Sequence, residues 1–282
     1  MVSATSVLIA NARLLGRRRW LRMWHTEPPT TRGFFDDYPR FLLSSETEAK
    51  LHRLNERHRA LIQANADIIK GKRVLDLASH DGRWSFAAGK AGASYVLGIE
   101  ARPHLVEAAR NNVLAYGADN VEFIQGDVMN DLHLAGHFDT VFCFGFLYHT
   151  IDHMPLLRAI RNVDPKHVII DTVISLLPNA MVEVGTERVD REGAAAFGDG
   201  GAVAVIGKPT KLALEQMLAA IGFSEIRYYN WRGAGISCWN DLELYYLGSR
   251  VTLRADRTGH EMKVPSSVLA KGEVRVDTTK VS

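Results

Sequence analysis

The sequence has only two cysteines, Cys143 and Cys238, in 282 residues. Two thiols cannot build a disulfide framework or a cysteine-rich zinc site. Cys143 lies inside an apolar run and reads as a small buried hydrophobe. A reducing, cytoplasmic setting is the natural expectation. Long apolar runs are also lacking, and none reaches the ~18 residues that a membrane span needs. Charge of one sign is scarce: 34 Lys and Arg face 32 Asp and Glu, a net charge of +2. That small excess is unevenly placed. Residues 1–33 hold six arginines against Glu27 alone, so the remainder of the chain is net acidic. Such a body is not an obvious nucleic-acid binder, which would normally show a strongly basic face, although composition leaves room for local basic patches. The first residues have no basic n-region and make a poor secretory signal. Residues 1–33 therefore read as a basic, disordered arm, with Met23 as an alternative start.

With 46% hydrophobic residues, the chain can build a core without staples. After the arm, residues 34–70 form an expected cap: the aromatic-rich loop Phe34–Phe41, then an amphipathic helix over Thr47–Asp67. Strands and helices then alternate. Strands are expected at Arg73–Leu77, Tyr95–Ile99, Val121–Ile124, Phe138–Phe144 and His167–Val173. Helices are expected between them at Trp84–Ala91, Arg102–Tyr116 and Met154–Asn162. Alternation of this kind gives right-handed βαβ units and a parallel sheet. Residues 174–208 are rich in glycine and alanine, show no clear period, and read as an insertion able to serve as a lid. Lys211–Ile221 is an amphipathic helix stopped by Gly222. Glu225–Tyr229 and Leu242–Arg254 read as a final antiparallel strand pair, and 255–282 as a tail.

Three carboxylates fall at successive strand ends: Asp76, Glu100 and Asp127. In an open parallel sheet all three lie along the carboxyl edge, where ligands bind. An acid just past the second strand can accept hydrogen bonds from both ribose hydroxyls. One in the next loop can accept from an adenine amino group. A dinucleotide-binding domain would want G-x-G-x-x-G after the first strand, where this chain has Ala78-Ser79-His80-Asp81-Gly82.

The order Asp76…Gly82, Glu100, Asp127 and Phe138-Asp139-Thr140-Val141-Phe142 resembles motifs I to IV of the class I S-adenosylmethionine (SAM)-dependent methyltransferases. The resemblance spans about residues 71–254. It implies an α/β, Rossmann-like, seven-stranded, mostly parallel sheet with one antiparallel strand and helices on both faces. It also implies SAM as cofactor. By the same likeness Glu100 binds ribose, Asp127 and Val128 bind adenine, and the turn through Asp76, Ala78, His80 and Gly82 holds the methionine moiety. The family usually has a glycine-rich D-x-G-x-G-x-G here; Ala78 and His80 replace its first two glycines. The segment from Phe138 through Phe144 to Tyr148 and His149 is similar to the bacterial tRNA wobble-uridine carboxymethyltransferases, as is Lys208–Leu214. Those enzymes use carboxy-SAM, and the likeness places Tyr148 against the carboxylated sulfonium ligand; Phe144 is expected with it among the cofactor-binding residues.

His149 follows the fourth strand closely, where a base for an alcohol acceptor would stand, and histidine suits that task. Asp171, near the end of the fifth strand, is the residue expected to orient it. The expected activity is methyl transfer to a small-molecule hydroxyl, of a sugar or secondary metabolite. A tRNA-modifying (carboxy)methyltransferase and a non-catalytic SAM-binding protein remain as alternatives.

Overall fold

A computed structural model describes residues 32–45, 50–132, 135–189 and 202–258. The expectations for residues 1–31 of the arm and for the tail beyond Thr258 lie outside the described residues. Five strands run in parallel: β1 (Arg73–Leu77), β2 (Tyr95–Glu100), β3 (Val121–Gln125), β4 (Thr140–Phe144) and β5 (His167–Val173). Strands β6 (Val182–Arg188) and β7 (Val203–Pro209) pair only with each other. Strands β8 (Phe223–Tyr228) and β9 (Arg250–Arg257) complete the main sheet, whose order is β3-β2-β1-β4-β5-β9-β8. Strand β9 is antiparallel to both neighbours, which gives the expected seven-stranded sheet.

The parallel strands are apolar because both their faces are covered. All five residues of β4 are buried. Helices α1 (Arg40–Leu43), α2 (Leu51–Leu61), α3 (Arg83–Lys90) and α4 (Pro103–Tyr116) contribute to one apolar layer. Helices α5 (His153–Asn162) and α6 (Lys211–Ala220) contribute to the other. The aromatic segment Phe34–Phe41 belongs to the first layer: Phe35 and Phe41 are fully buried, and Tyr38 packs edge-on against Phe86. Its helix is shorter than expected; α2 stops at Leu61 and continues as a 3-10 segment, Gln63–Ile68.

Two expectations need correction. Leu242–Arg254 is not one strand. Its first part is helix α7 (Glu243–Leu247), closed by Gly248 at φ +78°, and β9 begins only at Arg250. The apolar and aromatic residues there favour strand on propensity. Tertiary packing prevails, because the helical turn stacks Tyr245 on Trp231 at 3.9 Å. Strand β9 also runs through Arg257, so residues 255–257 belong to the sheet and not to a tail. The 174–208 insertion, in turn, has structure of its own: β6 and β7 form an antiparallel arm that packs on the segment after β4.

Candidate active site

The turn after β1 keeps the backbone of a glycine-rich loop without the glycines. Ala78, His80 and Gly82 all have positive φ, at 52°, 55° and 81°. Such a conformation costs an L-residue roughly 1–2 kcal/mol. The surroundings hold it. The His80 amide donates to Glu100 Oε2 at 2.9 Å, and the Gly82 amide to the Ser79 carbonyl at 3.0 Å. Asp81 is fully buried, and Arg83 grips both its oxygens at 2.6 and 2.8 Å. Burial alone would raise the Asp81 pKa; the adjoining Arg83 charge and His80 outweigh it and hold the carboxyl well below its usual range. Asp76 differs. It is buried beneath the turn, accepts from Ser85 Oγ at 2.6 Å, and has its pKa pushed up by burial to about 7.

Glu100 ends β2 and is almost wholly buried. Burial would raise its pKa, but the Arg102 guanidinium at 2.9 Å and the amides of Arg102 and His80 lower it. A carboxylate offers about four acceptor sites, and these three donors leave one free. Two buried polar atoms in the same turn, Ser79 Oγ and His80 Nε2, have no hydrogen-bond partner among the described residues. An ionised acceptor and unpaired polar groups along one sheet edge suit a nucleoside-bearing ligand with a polar tail. Asp127 lies in the loop after β3, half-buried, and accepts from the Met129 amide at 2.8 Å and Asn130 Nδ2 at 2.7 Å. Val128 is buried in the same apolar cluster as Leu97 and Ile99.

The segment after β4 makes a 3-10 turn, Leu147–His149. Phe144 stacks on Phe142 at 4.7 Å and meets Trp84 edge-on at 6.0 Å. The ring of Tyr148 lies 4.0 Å from that of His149. His149 does not meet Asp171. Its Nδ1 lies 2.7 Å from Glu187 Oε1, on β6 of the inserted arm, and both side chains are largely buried. His153 ties the same arm down, its Nε2 lying 3.0 Å from the Gly207 carbonyl oxygen.

Asp171 is instead the hub of a buried cluster, because its side chain is taken up by α2, α7 and β9. It accepts from Arg57 Nη2 at 3.0 Å, Arg250 Nε at 2.7 Å, Tyr245 Oη at 2.9 Å and Thr252 Oγ1 at 2.7 Å, and also from Arg250 Nη2. Burial would raise its pKa, yet the charges of Arg250 and Arg57 lower it to about 2. The Arg250 guanidinium lies 5.9 Å from the centre of the Tyr148 ring. Sequence reasoning missed Arg57, Glu187 and Arg250. The i, i+4 spacing of Arg53 and Arg57 beside an apolar helical stripe was an available signal; Glu187 offered none.

Part of the chain resembles known methyltransferases. Residues 74–164 match a family model described as a methyltransferase domain. The ribosomal protein L11 methyltransferase of Caldanaerobacter subterraneus subsp. tengcongensis is 38% identical over 134 residues, 47% of this chain and 35% of that one. The tRNA U34 carboxymethyltransferase of Trichodesmium erythraeum is 28% identical over 172 residues, 57% of this chain and 47% of that one. The chain thus spans half or less of the length of these two relatives. Among solved structures, the N-terminal domain of EvdMO1 with SAH bound superposes with a TM-score of 0.56 at 19% identity, covering 88% of this chain and 97% of that one. The methyltransferase-domain match thus opens on β1 and closes just before β5, on a sheet that shares its fold with the SAH-bound neighbour.

Proposed function

We propose that the protein transfers a methyl group from SAM to a hydroxyl of a small-molecule acceptor, with His149 as general base and Glu187 as the residue that orients it. The His149–Glu187 contact at 2.7 Å carries this reading. With Nδ1–H donated to the Glu187 carboxylate, the neutral imidazole presents Nε2 as a proton acceptor. Nε2 makes no hydrogen bond among the described residues. It stands at the carboxyl end of β4, the half of the edge next to the Glu100 turn.

When bound, SAM supplies an electrophilic methyl on a sulfonium centre. Glu100 would hold its ribose, Asp127 and Val128 its adenine side, and the Ala78–Gly82 turn its amino-acid part. Tyr148 lies against His149, ring to ring at 4.0 Å. The chain's own contribution is positional: it holds the hydroxyl in line, and it removes the proton as the oxygen attacks. Glu187 comes from the inserted arm, so docking of the arm completes the base.

Incubation of the full chain with methyl-labelled SAM and a low-molecular-weight cell fraction tests the reading. A labelled, base-stable ether that disappears with His149→Ala supports it. Label found in RNA or protein, or full turnover by His149→Ala, contradicts it.

A further inference from the structure

Two guanidinium groups converge on the single carboxylate of Asp171, and a third, that of Arg53, lies near enough to feel the charges of all three. Arg57 and Arg250 donate to it. Arg53 sits one helical turn before Arg57 on α2 and makes no ion pair among the described residues. The Arg57 side chain is only 10% exposed, and its Nε is buried without a partner. Burial, then the charges of Arg57 and Arg250, depress the Arg53 pKa. Cations gathered this closely, with one carboxylate between them, are under-compensated, and a buried unpaired charge is costly. The guanidinium fork matches an oxyanion in geometry as well as charge.

Of these three arginines, Arg250 is the one that lines a cavity of about 590 Å³ beside β9 and so joins the cluster to it. Its walls include Tyr228, Tyr229, Trp231 and Tyr245. The charged residues on those walls are Lys211, Arg232 and Arg250 against Glu215. The aromatic cavity has room for a whole ring-bearing molecule.

We infer that the acceptor is an acidic ring compound, whose carboxylate or phosphate ester is held by Arg53, Arg57 and Arg250 while its ring lies against the Tyr and Trp walls of the cavity. This rests on the methyltransferase reading above and names its substrate class.

Binding of three probes to the full chain loaded with S-adenosylhomocysteine tests it: 4-hydroxybenzoate, 4-nitrophenyl phosphate and the neutral 4-hydroxybenzamide. Arg53 is the residue to change, because it donates to none of the groups that hold Asp171. Arg53→Gln therefore leaves the hub intact. At least one oxyanion should bind about tenfold or more tighter than the amide, and Arg53→Gln should erase that preference. No preference in the wild type, or one that survives Arg53→Gln, overturns the inference. So does a wild-type preference for carboxy-SAM over SAM that Arg53→Gln abolishes, since the cluster would then serve the cofactor. Calorimetric titration with S-adenosylhomocysteine alone separates these outcomes from failure of the methyltransferase reading, which would show as no adenosyl binding at all.

Discussion

Replacing Asp171 by Asn should destabilise the fold far more than an ordinary active-site substitution. The side chain is fully buried and accepts five hydrogen bonds from four residues on α2, α7 and β9. The substituted amide would be neutral and would leave the Arg57 and Arg250 charges without a counter-ion. Removing one partner of a buried ion pair costs about 3–5 kcal/mol. For a domain of this size each kcal/mol moves Tm by about 2–4 °C, so the fall should be roughly 6–20 °C. Thermal unfolding followed by circular dichroism measures it. The pH dependence has a defined sign. The folded pKa of Asp171 is about 2, below the unfolded value of about 3.9, so its contribution is full above pH ~4 and is lost as pH falls through 2. The gap between wild type and Asp171→Asn should therefore close in strong acid. A Tm within about 2 °C of wild type at pH 7 would refute the hub.

Other expectations follow from single contacts. His149→Ala should lower kcat by about 100- to 10,000-fold with SAM affinity retained, and Glu187→Gln should give a smaller loss in the same assay. Burial raises the Asp76 pKa to about 7, so this group stabilises the apo-protein most below pH ~4 and loses that contribution as pH rises through 7. Tm curves of wild type and Asp76→Asn between pH 4 and 8 should diverge accordingly. Gly82→Ala would place a Cβ 2.6 Å from Phe123 and 2.9 Å from Ala109 at φ +81°, and should cost at least about 2 kcal/mol in urea unfolding.

Much of the fold was legible because the five parallel strands and their helices obey clear periods. The strand-end acids Asp76, Glu100 and Asp127 do lie along one edge, at or just after the strands expected to carry them. The turn conformation was not legible. Ala78 and His80 argue against a glycine-like loop, yet the Glu100–His80 amide contact and the Arg83–Asp81 pair enforce one. The partner of His149 was misassigned because strand adjacency puts β5 beside β4. It does not show that Asp171 is claimed by Arg57 and Arg250 from elements distant in sequence. Glu187 was hidden in a stretch whose glycines and alanines masked the Val-Glu-Val and Val-Ala-Val-Ile alternation of the arm. The helix at Glu243–Leu247 was lost to strand propensity; the stacking of Tyr245 on Trp231 and its hydrogen bond to Asp171 explain it.

The most direct test of the account is calorimetric titration of the full chain with SAM, for wild type and Glu100→Ala. The account predicts saturable one-to-one binding by the wild type, weakened about 10- to 100-fold when the carboxylate expected to hold the ribose is removed. No binding of SAM, or equal binding by Glu100→Ala, would contradict it.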